Sequence, residues 1–284
     1  MNKSASSQPA SGLAIGCHAL VEARLSEIGS LRDRGSPPGC PALPPRFLRH
    51  ADEHTVVGMH AVLAALATHP APAPVGSHGI VAAPCQAGRL AGAKTLVAYA
   101  AGGGVAVSPH VVPQCSLHSV AGAVSVALGM HGPQLGVGGG PEALGEGLLA
   151  AASLLAGGGD SDCSGVWLVA TEWDEEPSLD PTGAPLGDPI CRGLAALLEP
   201  LPDSVDGGPS VAPIGIEPRM TGVTRGARPS TAAGGIGDLA RALDMCREGD
   251  ALASWAVGCP GGGEIRIVSR RPCWNSVVRL RGAA

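Results

Sequence analysis

Two predicted helices built mainly from small residues constrain this sequence more than any other feature. They span Ser116–Leu128 and Glu142–Ala156, where Ala, Gly, Ser, Val and Leu predominate. A short strand is predicted between them at Gln134–Gly138, and a buried strand follows at Val166–Ala170. Because small side chains let neighbouring backbones approach closely, we expect both helices to lie in a packed interior and not at the surface.

The composition predicts a large core that contains few aromatic side chains. Of the 284 residues, 45% are hydrophobic and 15% are charged, and the sequence has single copies of Phe and Tyr, at Phe47 and Tyr99. We therefore expect a core of closely packed Ala, Val, Leu and Ile. The net charge of −5 provides no basic surface for nucleic acid or for an anionic membrane, so neither is expected as a partner.

The cysteines and the apolar runs bear on the cellular compartment. Nine cysteines are scattered through the chain without C-x-x-C spacing. Free cysteines usually behave as small hydrophobes, so we expect reduced thiols. The N-terminus lacks the long apolar run of a signal peptide, and the sequence has no uninterrupted run of about twenty apolar residues. These features predict a cytoplasmic protein without a membrane span.

Segment boundaries follow from turn-rich stretches and from helical spacing. Residues 1–11 are expected to be disordered, 12–200 to form the main domain, 201–230 to be a loop or linker, and 231–284 to complete the same fold with a short helix and two strands. Further helices are predicted at Ala19–Leu31, Asp52–Thr68 and Thr231–Arg247. The acidic run Glu172–Glu176 begins a turn-rich segment, which we interpret as a solvated surface loop.

Three stretches in a fixed order resemble the N-terminal half of a β-ketoacyl synthase, a member of the thiolase-fold superfamily. The family's proline-bounded loop, glycine-containing helix and Leu-Gly-x-x-Gly-Pro ending are matched by SPHVVPQCSLHSVAGAVSVALGMHGP. The end of its next helix is matched by LLAGGGDSD, and the strand after that helix by VWLVATE. Several motifs in the family's order are more specific than any single glycine pattern, so residues 12–200 are identified as a ketosynthase-like N-terminal domain.

This resemblance implies an α/β architecture: a thiolase-like layered α-β-α-β-α fold, with mixed five-stranded sheets sandwiched between helices. The family's middle-to-late portion is missing between Pro200 and Thr231, which implies a shortened second repeat. Subunits of the family pair through the strand before the nucleophile turn, which corresponds here to Gln134, Leu135, Gly136, Val137 and Gly138. A glycine-rich turn that borders the family's active site corresponds to Gly261, Gly262 and Gly263.

The position of the family's nucleophile carries no thiol in this sequence. Ketosynthases have a cysteine there, at a helix N-terminus, where the helix dipole and free N–H groups lower the thiol pKa and hold the acyl oxyanion. The corresponding turn reads GVGGGPEALGEG and has Pro141 or Glu142 at this position. A carboxylate is favoured at any helix N-terminus. It also resembles the polar, non-nucleophilic residue that chain-length-factor subunits carry, and both accounts remain open.

The histidines are also placed differently from those of the family. Decarboxylative condensation in ketosynthases uses two histidines that follow the cysteine in the chain. All nine histidines here precede Pro141, so the usual Cys–His–His site cannot form within one chain. Cys115 and His118, three residues apart at a helix entry, could form a thiolate–imidazolium pair, although packing is the favoured interpretation. A zinc site that adds His110 to them lacks a fourth ligand.

Three functional hypotheses follow. The first is a non-catalytic, chain-length-factor-like accessory subunit in fatty acid or polyketide-type biosynthesis, without cofactor or metal. It would pair with an active ketosynthase subunit or with itself and meet acyl carrier protein through its partner. The second is a divergent β-ketoacyl synthase or acyltransferase whose nucleophile is relocated to Cys115 or whose site is completed by a partner. The third is a degenerate scaffold protein.

Overall fold

The structure is a computed structural model, which describes residues 13–69, 75–156, 163–200, 214–220, 234–248, 254–259 and 263–269. The helices are α1 (Ile28–Asp33), α2 (Glu53–Thr68), α3 (Arg89–Gly102), α4 (Val111–Gln114), α5 (Ser119–Leu128), α6 (Ala143–Ala156) and α7 (Ile236–Arg247). The strands are β1 (Leu13–Arg24), β2 (Gly79–Pro84), β3 (Gln134–Gly136), β4 (Val166–Trp173), β5 (Ser178–Leu179), β6 (Pro185–Leu186), β7 (Ile190–Pro200), β8 (Ile214–Met220), β9 (Ser254–Cys259) and β10 (Gly263–Ser269). Residues 1–11, Gly261 and Gly262 lie outside the described residues.

Eight of these strands form one mixed sheet in the order β3-β2-β4-β7-β1-β8-β10-β9. Strands β3, β2 and β4 are parallel, whereas β7 pairs antiparallel with both β4 and β1. Only the first residues of β1, Leu13–Ile15, pair with β8. The sheet therefore consists of a five-stranded part and a three-stranded part that are joined by a short pairing.

The two faces of β4 show how the layers are stacked. Val166, Leu168 and Ala170 face a core that includes α6, α7, β9 and β10. Trp167, Val169 and Trp173 face a second core, formed with α2 and α5. Helices α6 and α7 also contact strands from both parts of the sheet. The layers therefore run α2/α5, five strands, α6/α7, three strands, which confirms the predicted α/β layered fold. No described helix covers the outer face of the three-stranded part.

Two segments differ from the sequence-based expectations. The helix predicted at Ala19–Leu31 is wrong, because β1 continues to Arg24 and pairs with β7 along nearly its whole length. Strand β8 lies inside the segment 201–230 that was predicted to be a loop or linker, and it pairs with β10 along all seven residues. In both places, pairing with a distant strand prevails over local composition and spacing.

Among the described residues, no helix is long and apolar enough to cross a bilayer.

Candidate active-site region

The turn in which the resemblance places the nucleophile is attached to the carboxyl end of β2. Cys85, the residue after β2, forms a parallel bridge with Gly139. The Gly139 N–H donates to the Pro84 carbonyl at 3.0 Å, and the Gln86 N–H donates to the Gly139 carbonyl at 3.1 Å. These bonds hold the turn between β3 and α6 against the end of the sheet.

Glycine is required in this turn for conformation and for space. Gly138 and Gly139 have φ values of 88° and 97°, in the left-handed region that side chains rarely adopt. A Cβ atom at Gly138 would lie 2.6 Å from the Cβ of Ala143, well inside contact distance. Gly138 and Gly139 therefore allow the chain to turn from β3 directly into α6.

Pro141 and Glu142 lie at the N-terminus of α6, and both are exposed. The Glu142 carbonyl accepts the N–H of Glu146 at 3.1 Å, so Glu142 begins the helical hydrogen-bonding pattern. The next residue, Ala143, is buried. Pro141 and Glu142, one of which corresponds by resemblance to the family's cysteine, therefore face solvent at the first turn of a buried helix.

Glu172 lies near the end of β4, in the same region. The sequence-based expectation that its side chain is solvated is wrong. It is half-buried, and its carboxylate accepts the N–H of Ile236 at 3.2 Å, at the N-terminus of α7. Burial raises the pKa of this carboxyl group, partly offset by the hydrogen bond from Ile236. The alternation of side chains along β4 could have predicted this burial. Residue 172 lies on the same face of the strand as the core residues Val166, Leu168 and Ala170.

Cys85 is a second residue of this region that no sequence motif singles out. It lies beside the nucleophile turn and is half-buried. Burial raises the pKa of its thiol, the negative charge of Glu172 raises it further, and the positive charge of Arg89 opposes these effects. A thiol is therefore present close to the turn, but its surroundings favour the neutral form and not the nucleophilic thiolate.

The structure does not join Cys115 and His118 in a hydrogen-bonded pair. The Cys115 thiol donates to the carbonyl of Gly88 at 3.6 Å. Burial, followed by the negative charge of Asp52, raises its pKa. An activated thiol requires the opposite shift, since an imidazolium neighbour lowers the thiol pKa. Cys115 is therefore an exposed thiol that bonds to a backbone carbonyl and not to the His118 ring.

His110 also does not join Cys115 and His118. Its ring stacks on that of His50, with ring centroids 4.6 Å apart and an interplanar angle of 1°. In the described part of the chain, no group of three or more His, Cys, Asp or Glu side chains is close enough to hold a metal ion. The zinc site considered from the sequence is therefore not assembled by these three residues.

Thiol reactivity tests this description of Cys115. Because its pKa is raised, we expect iodoacetamide to alkylate Cys115 more slowly than free cysteine at about pH 7.5, with a rate that falls about tenfold per pH unit below the thiol pKa. Peptide mapping by mass spectrometry would measure the rate, and a His118→Ala variant serves as the control. Rapid labelling near pH 6 that is lost in His118→Ala would instead identify a thiolate–imidazolium pair.

Comparisons with known proteins place this geometry in a fold family. No protein-family model and no curated protein matches the sequence. Among solved structures, a ketosynthase (ApeO) in complex with its chain length factor (ApeC) from Xenorhabdus doucetiae matches with a TM-score of 0.53 and 15% identity, covering 90% of this chain and 99% of that chain. A β-ketoacyl synthase from Burkholderia phymatum STM815 matches with a TM-score of 0.48 and 15% identity, over 84% and 70% of the two chains. The ishigamide ketosynthase/chain length factor matches with a TM-score of 0.48 and 18% identity, over 73% and 67%.

The first of these similarities carries the assignment of the fold, because its TM-score exceeds 0.5 and it spans nearly the whole of both chains. An identity of 15% is evidence about the fold and not about the reaction. The layered sheet and helices agree with it, as do the three sequence stretches that resemble ketosynthases. The chain therefore has the thiolase-like fold of the β-ketoacyl synthases.

Proposed function

We propose that this chain is a non-catalytic, chain-length-factor-like subunit that works beside an active ketosynthase in fatty acid or polyketide-type biosynthesis. The observation that carries the proposal is the turn at the start of α6. By its resemblance to ketosynthases, this turn corresponds to the family's nucleophile position, and it contains glycines, Pro141 and Glu142 but no cysteine.

The chemistry of acyl transfer supports this proposal. A covalent acyl-enzyme forms when a thiolate attacks the thioester carbonyl while nearby donors stabilise the oxyanion. The turn offers no thiol, and no histidine follows Pro141 in the chain. Two thiols near this region, Cys85 and Cys115, both have raised pKa values, which lower the fraction of reactive thiolate near neutral pH.

Strand β3 offers a place for the partner. It is an edge strand of the described sheet. The Ile80 N–H of β2 donates to the Pro133 carbonyl, and the Val137 N–H donates to the Ala82 carbonyl of β2. Because bonding groups alternate along a parallel strand, the main-chain groups of Gln134 and Gly136 are directed to the open edge. We propose that a second subunit pairs there. The first matched structure contains a ketosynthase in complex with its chain length factor, which supports a partner of this kind.

Co-expression with an intact ketosynthase from the same genome tests the proposal. We expect a stable heterodimer in size-exclusion chromatography with light scattering. After exposure to acyl carrier protein loaded with a labelled acyl group, intact-mass analysis is expected to find the acyl label on the partner's cysteine alone. The reason is that only the partner contributes a thiolate next to an oxyanion site.

Two variants sharpen this experiment. Replacing the partner's nucleophilic cysteine with alanine is expected to abolish all labelling, whereas Glu142→Gln in this chain is expected to leave pairing intact, since Glu142 is exposed at a helix terminus. Label that maps to Cys115 would contradict the proposal and identify a relocated nucleophile. A chain that neither pairs nor changes product length would instead be a scaffold.

A further inference from the structure

The half-buried carboxyl group of Glu172 lies against the N-terminus of α7. Its Oε1 accepts the Ile236 N–H at 3.2 Å. Gly235 leaves room for this approach, because a Cβ atom there would lie 2.7 Å from the same oxygen and would push the carboxyl group away. We call residues 235–238 the first turn of α7. A titratable side chain of β4 therefore bonds directly to this turn.

The first turn covers part of the core, and the far end of α7 is held separately. Ile236 is 1% exposed and packs in the core that also contains Leu239 and one face of β4. Near the other end of the helix, the Asp244 Oδ1 lies 2.9 Å from the Nε2 of His18 in β1. If the first turn opens, Ile236 leaves the core and Glu172 returns to water, while the far end can stay in place.

The positive charge beside Glu172 is shared with another carboxylate. Arg192 of β7 is the cross-strand neighbour of Glu172, but its Nε donates to the Glu22 Oε1 at 2.6 Å. Asp238, within the first turn, adds a negative charge, and Arg241 lies 2.9 Å from its carboxylate. An ionised Glu172 is therefore only partly compensated when the first turn is closed.

Protonation of Glu172 is consequently coupled to the closed state of the turn. Burial is the largest cause of its raised pKa, which the Ile236 hydrogen bond and the charge of Arg192 lower and the charge of Asp238 raises further. Opening removes the burial, so the open state has a pKa closer to the ordinary value. The closed turn therefore binds this proton more tightly than the open turn does.

We propose that the first turn of α7 is a pH-sensitive closure, which is favoured when Glu172 is protonated and loosened when Glu172 ionises. Linkage fixes the direction: closure is strongest below the ordinary glutamate pKa of 4.5 and weakens as pH rises through the raised pKa of the closed state. This inference goes beyond the proposed function and requires no partner subunit.

The closure lies beside the candidate active-site region. The charge of Glu172 raises the pKa of the Cys85 thiol, and Cys85 is bridged to Gly139 in the turn before α6. Loosening of the first turn would therefore change the exposure of this region. Ionisation of one carboxyl group would in this way control how open the region is at neutral pH.

Amide hydrogen exchange of the isolated full-length chain tests the proposal. The informative amides are those of Ile236, Asp238 and Leu239, which bond to Glu172 and to the Gly235 carbonyl. After correction for the intrinsic exchange rate, their protection in wild type is expected to fall by about threefold or more from about pH 5 to about pH 8.

Three variants make this measurement specific to Glu172. Glu172→Gln keeps the acceptor but cannot ionise, so protection is expected to stay constant within about twofold over the same pH range. Glu175→Gln, at an exposed acid of the next loop, is the matched control and is expected to behave as wild type. Gly235→Ala displaces the carboxyl group without removing its charge, and it is expected to lower protection at about pH 5 and to reduce the pH dependence.

Two outcomes would overturn the closure. One is an equal pH dependence in wild type and Glu172→Gln, and the other is wild-type protection that stays constant or rises with pH. Thermal unfolding would verify that each variant folds, and if Glu172→Gln does not, an equal pH dependence in wild type and Gly235→Ala decides against the closure. Because no partner is present, each of these results leaves the proposed function standing.

Discussion

Replacing Gly147 with alanine is expected to destabilise the protein by about 1 to 3 kcal/mol, although alanine is the better helix former. Gly147 lies in α6, where a Cβ atom would be 2.5 Å from the Cβ of Ala83 and 2.8 Å from the Cδ1 of Leu168. Ala83 belongs to the β-sheet and cannot rotate away, so the helix itself would have to shift. Urea denaturation of the two proteins would measure the difference.

Helix α3 provides a matched control for this substitution. Gly92 is also inside a helix, but a Cβ atom added there would have nothing within 4 Å, and Gly92→Ala is therefore expected to stabilise the protein by about 0.5 to 1 kcal/mol. The same chemical change should thus have opposite signs in α6 and α3. A stabilising effect of Gly147→Ala would show that α6 is not packed against β2 at this distance.

The free energy of unfolding is expected to fall by about 3 kcal/mol between pH 7 and pH 4 because of His54. This side chain is 2% exposed, and its Nδ1 lies 2.8 Å from the Thr171 Oγ1. Burial lowers its pKa from 6.5 to about 4. As the pH falls below 6.5, the His54 imidazole becomes protonated in the unfolded chain, whereas in the folded chain it stays neutral until about pH 4. The free energy of unfolding therefore decreases as the pH falls from 6.5 to about 4.

Other buried groups change the total pH dependence of the free energy of unfolding, but they do not change the direction of the contribution from His54. Burial also lowers the pKa of His60 and His78, which adds loss in the same direction. Burial raises the pKa of Asp52 and Glu172, and such groups stabilise the folded state as pH falls. The difference between wild type and His54→Asn isolates the histidine, since the other groups are common to both proteins.

Denaturant titrations at several pH values would measure this difference. Between pH 6 and pH 4.5, the loss of unfolding free energy per pH unit is expected to be about 1.4 kcal/mol smaller in His54→Asn than in wild type. His50→Asn is the control, because His50 is exposed and stacked on His110. Equal slopes in wild type and His54→Asn would contradict the assignment of His54 as a buried neutral imidazole.

The sequence by itself predicted the elements whose signals are local. Helix α2 was predicted within one residue, and Asp52 caps it by accepting the N–H of Thr55 at 3.0 Å. Helix α6 was predicted to begin at Glu142 and begins at Ala143. Capping residues, apolar spacing and glycines act within a few positions of each other, and the three ketosynthase-like stretches depend on the same local order. The fold and the turn with Pro141 and Glu142 were therefore accessible before the structure.

Only the tertiary structure decided which distant residues meet. Strand β1 extends to Arg24 because residues such as Leu20 pair with Leu194 of β7, and no local pattern contains that information. The carboxylate of Glu172 lies at the N-terminus of α7 because the three-stranded part of the sheet folds over α6 and α7. Strand pairing and helix-end contacts are set by the free energy of the whole packed chain, so they become visible only once the layers are assembled.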